Sequence, residues 1–227
     1  MFIELVGSLR CVHAHQLSWL VASAYRMDER DIVSGELGCH ICGARYPVED
    51  GVADFRELGS ESASSPERAP GAPPNPDLAA LPYGADPAEL ALRAAALLEI
   101  TSPGGVVVLA GQWSAAAELL SSGEVAERVH VLALDPVADL RSGNGISIAL
   151  TGRRAPLRPA TVRGMALDAS HSDPDYVASA AESLRPGARL LAPLSAPLPP
   201  GLAELTRDDR FLLASKGREV RVELGRR

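Results

Sequence analysis

The chain has 227 residues, of which 46% are hydrophobic and 22% are charged, so it is long enough to bury a sizeable core. Its formal net charge of -7 at pH 7 argues against a broad phosphate-binding surface and disfavours nucleic acid as a partner. No apolar stretch approaches the roughly 20 residues that span a bilayer, and the segment that begins at Met1 lacks the features of a secretory signal. We therefore expect a cytoplasmic protein without a membrane partner.

All three cysteines lie near the beginning of the chain. Cys39 and Cys42 form a Cys-x-x-Cys turn followed by glycine, which lets two thiolates reach one ion, and Cys11 supplies a third sulfur from upstream. A redox pair of the thioredoxin type would need the motif to open a helix, whereas glycine on both sides favours a turn between short strands. In a reducing cytoplasm this pattern predicts a structural zinc ribbon.

The fourth zinc ligand must come from a histidine, because Ala14 stands where a regular ribbon has cysteine. His15 gives the spacing Cys-x-x-x-His and is the predicted ligand. His13 is the alternative, and His40 is expected to point away from the metal. No carboxylate beside the two half-sites offers a general base, so we expect a structural metal and no catalytic residues around it.

The composition divides the chain into three predicted parts. Residues 1–56 alternate short β-rich runs and form a zinc-ribbon domain, with strands predicted at 2–9, 19–26 and 31–37, the last two joined as a hairpin. Residues 57–85 are rich in serine, proline and alanine, which predicts a linker. Residues 86–227 form the second domain.

Helices and strands alternate in the predicted second domain. Asp86 and Pro87 mark a helix start, as the N-cap and the first helical residue. The apolar run 106–110 is typical of a buried parallel strand. Further strands are predicted at 129–134, 146–150, 164–167 and 188–192, further helices at 114–120 and 173–184, and a closing hairpin at 211–215 and 219–224. This order predicts an α/β fold with a doubly wound, Rossmann-like sheet that ends in an antiparallel hairpin.

The first domain carries a family resemblance in three of its motifs. Leu9-Arg10-Cys11, Gly38-Cys39-His40-Ile41-Cys42-Gly43 and Tyr46-Pro47-Val48-Glu49-Asp50-Gly51-Val52 resemble the zinc-ribbon family that includes the activator subunit of tRNA, rRNA and release-factor methyltransferases. The resemblance covers residues 1–56. It implies a protein partner, either a methyltransferase or a translation-related protein, and docking of the ribbon by addition of a strand to the partner's sheet.

The second domain resembles the class I S-adenosylmethionine-dependent methyltransferase fold, including Leu184-Arg185-Pro186-Gly187-Ala188-Arg189-Leu190 before its last parallel strand. This resemblance implies S-adenosylmethionine as the cofactor, with contacts from Gly111 in the loop after the first strand and from Asp135 at the end of the second. The family's acid at the place of Asp135 holds the ribose hydroxyls. A helix N-cap is the alternative for Asp135.

The cofactor loop departs from the family pattern. Leu109 stands where the family has an acid, and Gln112-Trp113-Ser114 replaces the rest of a glycine turn that allows close backbone approach to the cofactor. The Trp113 indole would extend towards the space of the cofactor's methionine part. The altered loop therefore predicts loss of the cofactor and of catalysis.

Three functions follow from these observations. The first is a non-catalytic methyltransferase-like protein, a pseudoenzyme, whose structural zinc ribbon helps it act as a partner-binding scaffold or activator. The alternative is a divergent S-adenosylmethionine-dependent methyltransferase with the activator ribbon fused in cis, in which Asp168 or His171 would be a candidate acid or base. The second alternative is a zinc-ribbon nucleic-acid adaptor. In each case the linker is long enough for the ribbon to dock on the sheet of its own chain.

Overall fold

A computed structural model describes residues 1–56, 86–137 and 139–217. The described strands are β1 Leu20–Asp28, β2 Asp31–Cys39, β3 Arg45–Glu49, β4 Val52–Asp54, β5 Val106–Ala110, β6 His130–Leu134, β7 Ile146–Leu150, β8 Val162–Ala166, β9 Leu184–Pro193, β10 Leu202–Arg207 and β11 Phe211–Lys216. The described α-helices are α1 Pro87–Leu97, α2 Ala117–Ser122 and α3 Pro174–Ser183. Short 3-10 helices cover Ile3–Ser8, Gly111–Ala116 and Ala169–His171. The predicted linker 57–85 lies outside the described residues.

The described strands form one sheet in the order β1-β2-β3-β4-β7-β6-β5-β8-β9-β11-β10. Its centre is parallel from β7 to β9, and the hairpin of β10 and β11 closes one side by antiparallel pairing with β9. The first four strands extend the other side and are consistent with a small zinc ribbon. The prediction of an α/β fold with a Rossmann-like sheet and a closing hairpin is therefore confirmed.

The central strands are buried on both faces, as a parallel sheet requires. In β5, Val107 and Leu109 pack into the core that contains α1 and α2, whereas Val108 and Ala110 pack into the core that contains α3. The cap predicted for α1 is present, because the Ala88 amide donates to the Asp86 carboxylate at 2.9 Å. Helices thus cover both faces, which makes the sheet doubly wound.

The ribbon docks on the sheet through its shortest strand. β4 pairs in parallel with β7, placing Val52 opposite Ile148, and the Phe55 amide then donates to the Leu150 carbonyl at 2.8 Å. A β-bridge between Leu9 and Leu157 connects the segment before Cys11 to the segment that follows β7. Buried ribbon residues and buried residues of α3 belong to one continuous apolar core. The strand addition expected from the family resemblance thus occurs within this chain.

One predicted strand is wrong, and the described hairpin begins earlier in the chain than the predicted one. Residues 2–9 contain the 3-10 helix Ile3–Ser8 instead of a strand, because the buried Leu5, Val6 and Leu9 are spaced for a helical turn and not for alternation. The closing hairpin turns at Asp208, whose carboxylate accepts hydrogen bonds from the Arg210 and Phe211 amides at 2.8 and 2.7 Å. Phe211–Lys216 is therefore the second strand of that hairpin, and the strand predicted at 219–224 lies outside the described residues.

Candidate functional site

The knuckle between β2 and β3 brings four candidate metal ligands together. Single ligand atoms of Cys11, His15, Cys39 and Cys42 all lie within 4.8 Å of one another. The sulfurs of Cys11 and Cys42 are 3.6 Å apart, and His15 Nε2 is 3.4 Å from the Cys39 sulfur. A tetrahedral zinc with bonds of about 2.3 Å to sulfur needs separations of roughly 3.5 to 3.8 Å. The donor set and its spacing therefore fit zinc.

The two histidines proposed from the sequence occupy different places. His15 Nδ1 lies 2.6 Å from the Gln16 carbonyl, and a donor there leaves Nε2 free to bind a metal. His13 Nδ1 approaches only the edge of the cluster, 3.4 Å from the Cys42 sulfur, and is outside the group of four. His40 contacts Trp19 and the Ser18 hydroxyl instead of the metal ligands. The geometry thus favours His15.

Two thiols of the cluster differ in acidity. Burial opposes ionisation of Cys39, but the backbone amides of Cys42 and Ile41 and the Ser18 hydroxyl outweigh it and lower the pKa to about 6. Burial is the main reason that the pKa of Cys11 rises to about 11. The cysteines are free thiols in the structure. A cation would therefore meet one thiol that already ionises at neutral pH and one that needs the metal to ionise.

The second candidate site lies at the carboxyl ends of the parallel strands, where ligands bind in open α/β sheets. Gly111 follows β5 with a φ of +57°, and a Cβ at this position would collide with the Asp168 carboxylate, which follows β8. The same carboxylate accepts a hydrogen bond from the Gln112 amide at 2.9 Å. A protein side chain thus occupies the approach that the glycine leaves open.

Asp135 binds protein groups at this edge instead of being a helix cap. Residues 136–137 and 139–140 belong to no helix. One carboxylate oxygen of Asp135 accepts from the Thr151 amide at 2.8 Å, and the other accepts from the Thr151 hydroxyl and from His171 Nε2, the latter at 3.1 Å. The Thr151 hydroxyl is also 3.2 Å from the Tyr176 hydroxyl. Each oxygen of Asp135 therefore binds a protein group, while 30% of the side chain stays exposed.

His171 joins the two aspartates. Its Nδ1 lies 2.7 Å from Asp168 and its Nε2 lies 3.1 Å from Asp135, with only 5% of its side chain exposed. Burial by itself lowers the pKa of His171, but the hydrogen bonds to Asp135 and Asp168 outweigh it and raise the pKa to about 9. Burial likewise opposes ionisation of Asp168, yet His171 holds its pKa below the usual range. The two carboxylates thus favour the imidazolium form of His171, and we call these three residues the Asp-His-Asp network.

The residues at this edge differ from the arrangement that the family resemblance implied for S-adenosylmethionine. The Asp168 carboxylate lies beside Gly111, and Asp135 already accepts hydrogen bonds from Thr151 and His171. His171 uses both ring nitrogens within the network, so it has no free nitrogen to act as a base. No chemical step through the cofactor follows from this arrangement.

Trp113 lies in the apolar core beside α1 and α2. It is 1% exposed, and its ring meets that of Phe211 at a centroid distance of 5.5 Å and an angle of 62°. The indole nitrogen of Trp113 and the Ser114 hydroxyl have no hydrogen-bond partner in the described part of the chain. The group that closes on Gly111 is therefore the Asp168 carboxylate and not the indole expected from the sequence.

Three residues of these sites were missed in the sequence. Thr151 directly follows β7, so its place at the carboxyl edge could have been inferred from strand order. Tyr176 lies within α3, and no sequence pattern predicts the contact of its hydroxyl with Thr151. Tyr46 belongs to the Tyr-Pro-Val motif, and its hydroxyl lies 3.0 Å from the Cys11 sulfur. Each acts through a contact between segments that are distant in the sequence.

The chain matches no protein-family model and no curated protein. Similar solved structures include TrmN from Thermus thermophilus, with 18% identity and a TM-score of 0.43 over 57% of this chain and 48% of that one. MycE methyltransferase from the mycinamycin biosynthetic pathway, in complex with Mg and SAH, has 15% identity and a TM-score of 0.44 over 59% and 49%. Phosphoethanolamine N-methyltransferase 2 of Haemonchus contortus, in complex with S-adenosyl-L-methionine, has 12% identity and a TM-score of 0.36 over 46% and 27%.

The match spans about half the length of the first two of these proteins. The layout of the sheet described above, and not these similarities, is the basis for the fold. No helix in the described ranges is both long and apolar enough to cross a membrane. The chain thus combines a methyltransferase-like α/β fold with a Cys3His group that could hold a metal.

Proposed function

We propose that this chain is a non-catalytic methyltransferase-like protein that acts as a partner-binding scaffold or activator. The observation that carries the proposal is the Asp-His-Asp network at the carboxyl edge of the sheet. It engages Asp135 and fills the approach to Gly111 with the Asp168 carboxylate. A site whose polar groups satisfy one another has few left to bind and orient a cofactor.

The ribbon supplies the metal-binding part of this proposal. We assign Cys11, His15, Cys39 and Cys42 as the ligands of a structural zinc. Four protein ligands complete a tetrahedral shell and leave no open position for a substrate or an activated water. The zinc would hold the small domain together, and free thiols of this kind are typical of the reducing cytoplasm, where we place the protein.

A protein is the partner that we propose. The large apolar side chains exposed on or beside the outer strand β1 include Trp19 at 60%, Val21 at 52% and Tyr25 at 70%. Exposed aromatic residues are common at protein interfaces, whereas a net charge of -7 opposes binding to phosphates. By the family resemblance of the ribbon, the partner would be a methyltransferase or a translation-related protein.

A divergent S-adenosylmethionine-dependent methyltransferase is the second candidate. The fold favours it directly, because Gly111 and Asp135 follow the adjacent parallel strands β5 and β6 as in the methyltransferase layout. No comparison with known proteins supports a scaffold role in the same way. In this candidate the Asp-His-Asp network would have to open so that Asp135 could reach the ribose.

Calorimetric titration of the purified full chain with S-adenosylmethionine and S-adenosylhomocysteine separates the two candidates. We expect no binding of either compound at concentrations up to the millimolar range. Micromolar binding that is lost in Asp135→Ala would overturn our proposal and establish the second candidate. Salt-dependent association with tRNA, measured on the same preparation, would instead favour the nucleic-acid adaptor.

A further inference from the structure

The candidate metal centre lies between the ribbon, residues 1–56, and the methyltransferase-like half, which we define as the described residues from 86 to 217. Cys39 and Cys42 belong to the ribbon knuckle, whereas Cys11 follows a segment bound to the other half: the Arg10 amide donates to the Pro156 carbonyl at 3.0 Å. Arg154 and Ala155 also border the space of about 60 Å³ beside residues 10–17. An ion bound here would connect a strand end of the ribbon to a segment fixed on the sheet.

Tyr46 has the position needed to orient Cys11 for that ion. Its side chain is buried, and its hydroxyl lies 3.0 Å from the Cys11 sulfur. The Val12 amide donates to the same hydroxyl oxygen at 3.3 Å, which leaves the hydroxyl proton free to be donated to a thiolate. A hydrogen bond to a ligating group fixes its orientation and stabilises its charged form.

The same tyrosine extends to the strand that docks the ribbon. Its ring packs against Phe55 at a centroid distance of 4.7 Å, and the Phe55 amide bonds to Leu150 at the end of β7. Tyr46 itself lies on β3, which pairs with β4. Cys11, Tyr46 and Phe55 therefore form a chain of contacts from the metal ligands to the seam between β4 and β7.

We propose that Tyr46 is a positioning residue for the metal, and that a bound metal strengthens the docking of the ribbon on the sheet. The inference rests on the proposed Cys3His zinc site. The metal would join the Arg10 segment to the knuckle. Because Tyr46 contacts both Cys11 and Phe55, fixing Cys11 would also restrict the motion of Phe55. Metal loss would then loosen both contacts with the methyltransferase-like half while the centre of the parallel sheet stays intact.

The first test compares wild type with Tyr46→Phe, using transfer of zinc to a chromogenic chelator and the thiolate-to-metal absorption of the cobalt-loaded protein. We expect Tyr46→Phe to release zinc about 10 to 100 times faster and to shift the cobalt absorption, because a hydrogen bond to one thiolate is lost. Tyr83→Phe, at a tyrosine of the predicted linker, is the control and should match wild type. Wild-type release and absorption in Tyr46→Phe would overturn the positioning role.

The second test needs no variant. Amide hydrogen exchange of the wild-type chain is measured with zinc bound and after removal of zinc by a chelator. We expect the Arg10 and Phe55 amides to exchange at least about tenfold faster without zinc, while the Val131 amide, which bonds to Gly145 at 2.8 Å, is unchanged. Equal exchange at Arg10 and Phe55 in both states would overturn the docking role. A wild-type chain that binds no stoichiometric zinc would overturn the metal site itself, and this inference with it.

Discussion

The two candidate sites of this protein use their polar side chains in opposite ways. At the ribbon knuckle, ligand atoms of three cysteines and one histidine all lie within 4.8 Å of one another. At the carboxyl edge of the sheet, Asp135, Asp168 and His171 also converge, but they bind one another. Convergence alone therefore does not make a ligand site. What matters is whether the groups that meet still have hydrogen bonds or coordination to offer.

The seam between the two halves explains how both arrangements coexist in one fold. β4 of the ribbon pairs with β7 within the continuous sheet, and buried residues from both halves form one core. Hydrogen bonding and apolar burial at the seam are independent of any cofactor at the carboxyl edge. In the proposed function, the methyltransferase-like half would therefore support the ribbon whether or not a cofactor binds at the carboxyl edge.

The largest expected loss of stability follows from substitution of a metal ligand. Cys39→Ser removes a buried ligand, and structural zinc sites contribute directly to folding free energy. We expect the variant to lose stoichiometric zinc and about 5 kcal/mol of unfolding free energy. Metal analysis by mass spectrometry and urea unfolding measure the two quantities. A Cys39→Ser protein with full zinc content would remove the distinction between the two sites.

The histidines give a matched pair for the same measurement. His15→Ala should lose zinc, whereas His13→Ala should retain it, because only His15 lies within the group of four ligands. The opposite outcome would make His13 the fourth ligand and show that the loop shifts when the metal binds.

Much of the fold could be predicted because its signals are local. The apolar run of β5 and the Asp-Pro start of α1 are each read from a few neighbouring residues. The docking strand β4 is different: it has three residues, and its partner β7 lies almost a hundred positions later. A strand of that length has no periodicity to detect, so its pairing was expected only from a family resemblance.

The two candidate sites also differ in how far neighbouring residues in the sequence predict them. Spacing in the sequence is enough to propose Cys39 and Cys42, because a two-residue turn fixes the distance between their sulfurs. The contact of His171 with Asp135 depends on how β6 and the segment after β8 lie in the folded sheet. The sequence shows an altered loop at Gly111, but it does not show that Asp168 fills the approach to that glycine.

A third prediction tests whether the Asp168 carboxylate is fixed beside Gly111. Gly111→Ala places a methyl group in the Asp168 carboxylate at a residue whose φ is +57°. We expect the unfolding free energy to fall by about 3 to 4 kcal/mol, from left-handed backbone strain and from loss of the buried bond between Gln112 and Asp168. Gly104→Ala is the control, because φ is +81° there but no atom lies within 4 Å of the added methyl. Equal losses in the two variants would show that Asp168 moves aside and that the edge can open.

The smallest expected effect is on the pH dependence of the unfolding free energy. It tests whether His171 is positively charged in the Asp-His-Asp network. The pKa of His171 is about 9 in the folded chain and close to its ordinary value of about 6.5 when unfolded, so the stabilisation is complete below about pH 6.5 and is lost as pH rises through 9. That shift corresponds to about 2 to 3 kcal/mol of unfolding free energy between pH 6 and pH 9.5. His171→Asn removes the titrating group, so the difference in pH dependence between wild type and variant isolates its contribution. If urea unfolding gives the same pH dependence for both, the pKa of His171 is not raised by folding, and no imidazolium is held between the two aspartates at neutral pH. Asp135 would then lack a cationic partner and keep its hydrogen bonds from Thr151, and the contrast with the ribbon site would weaken at the residue on which it depends most.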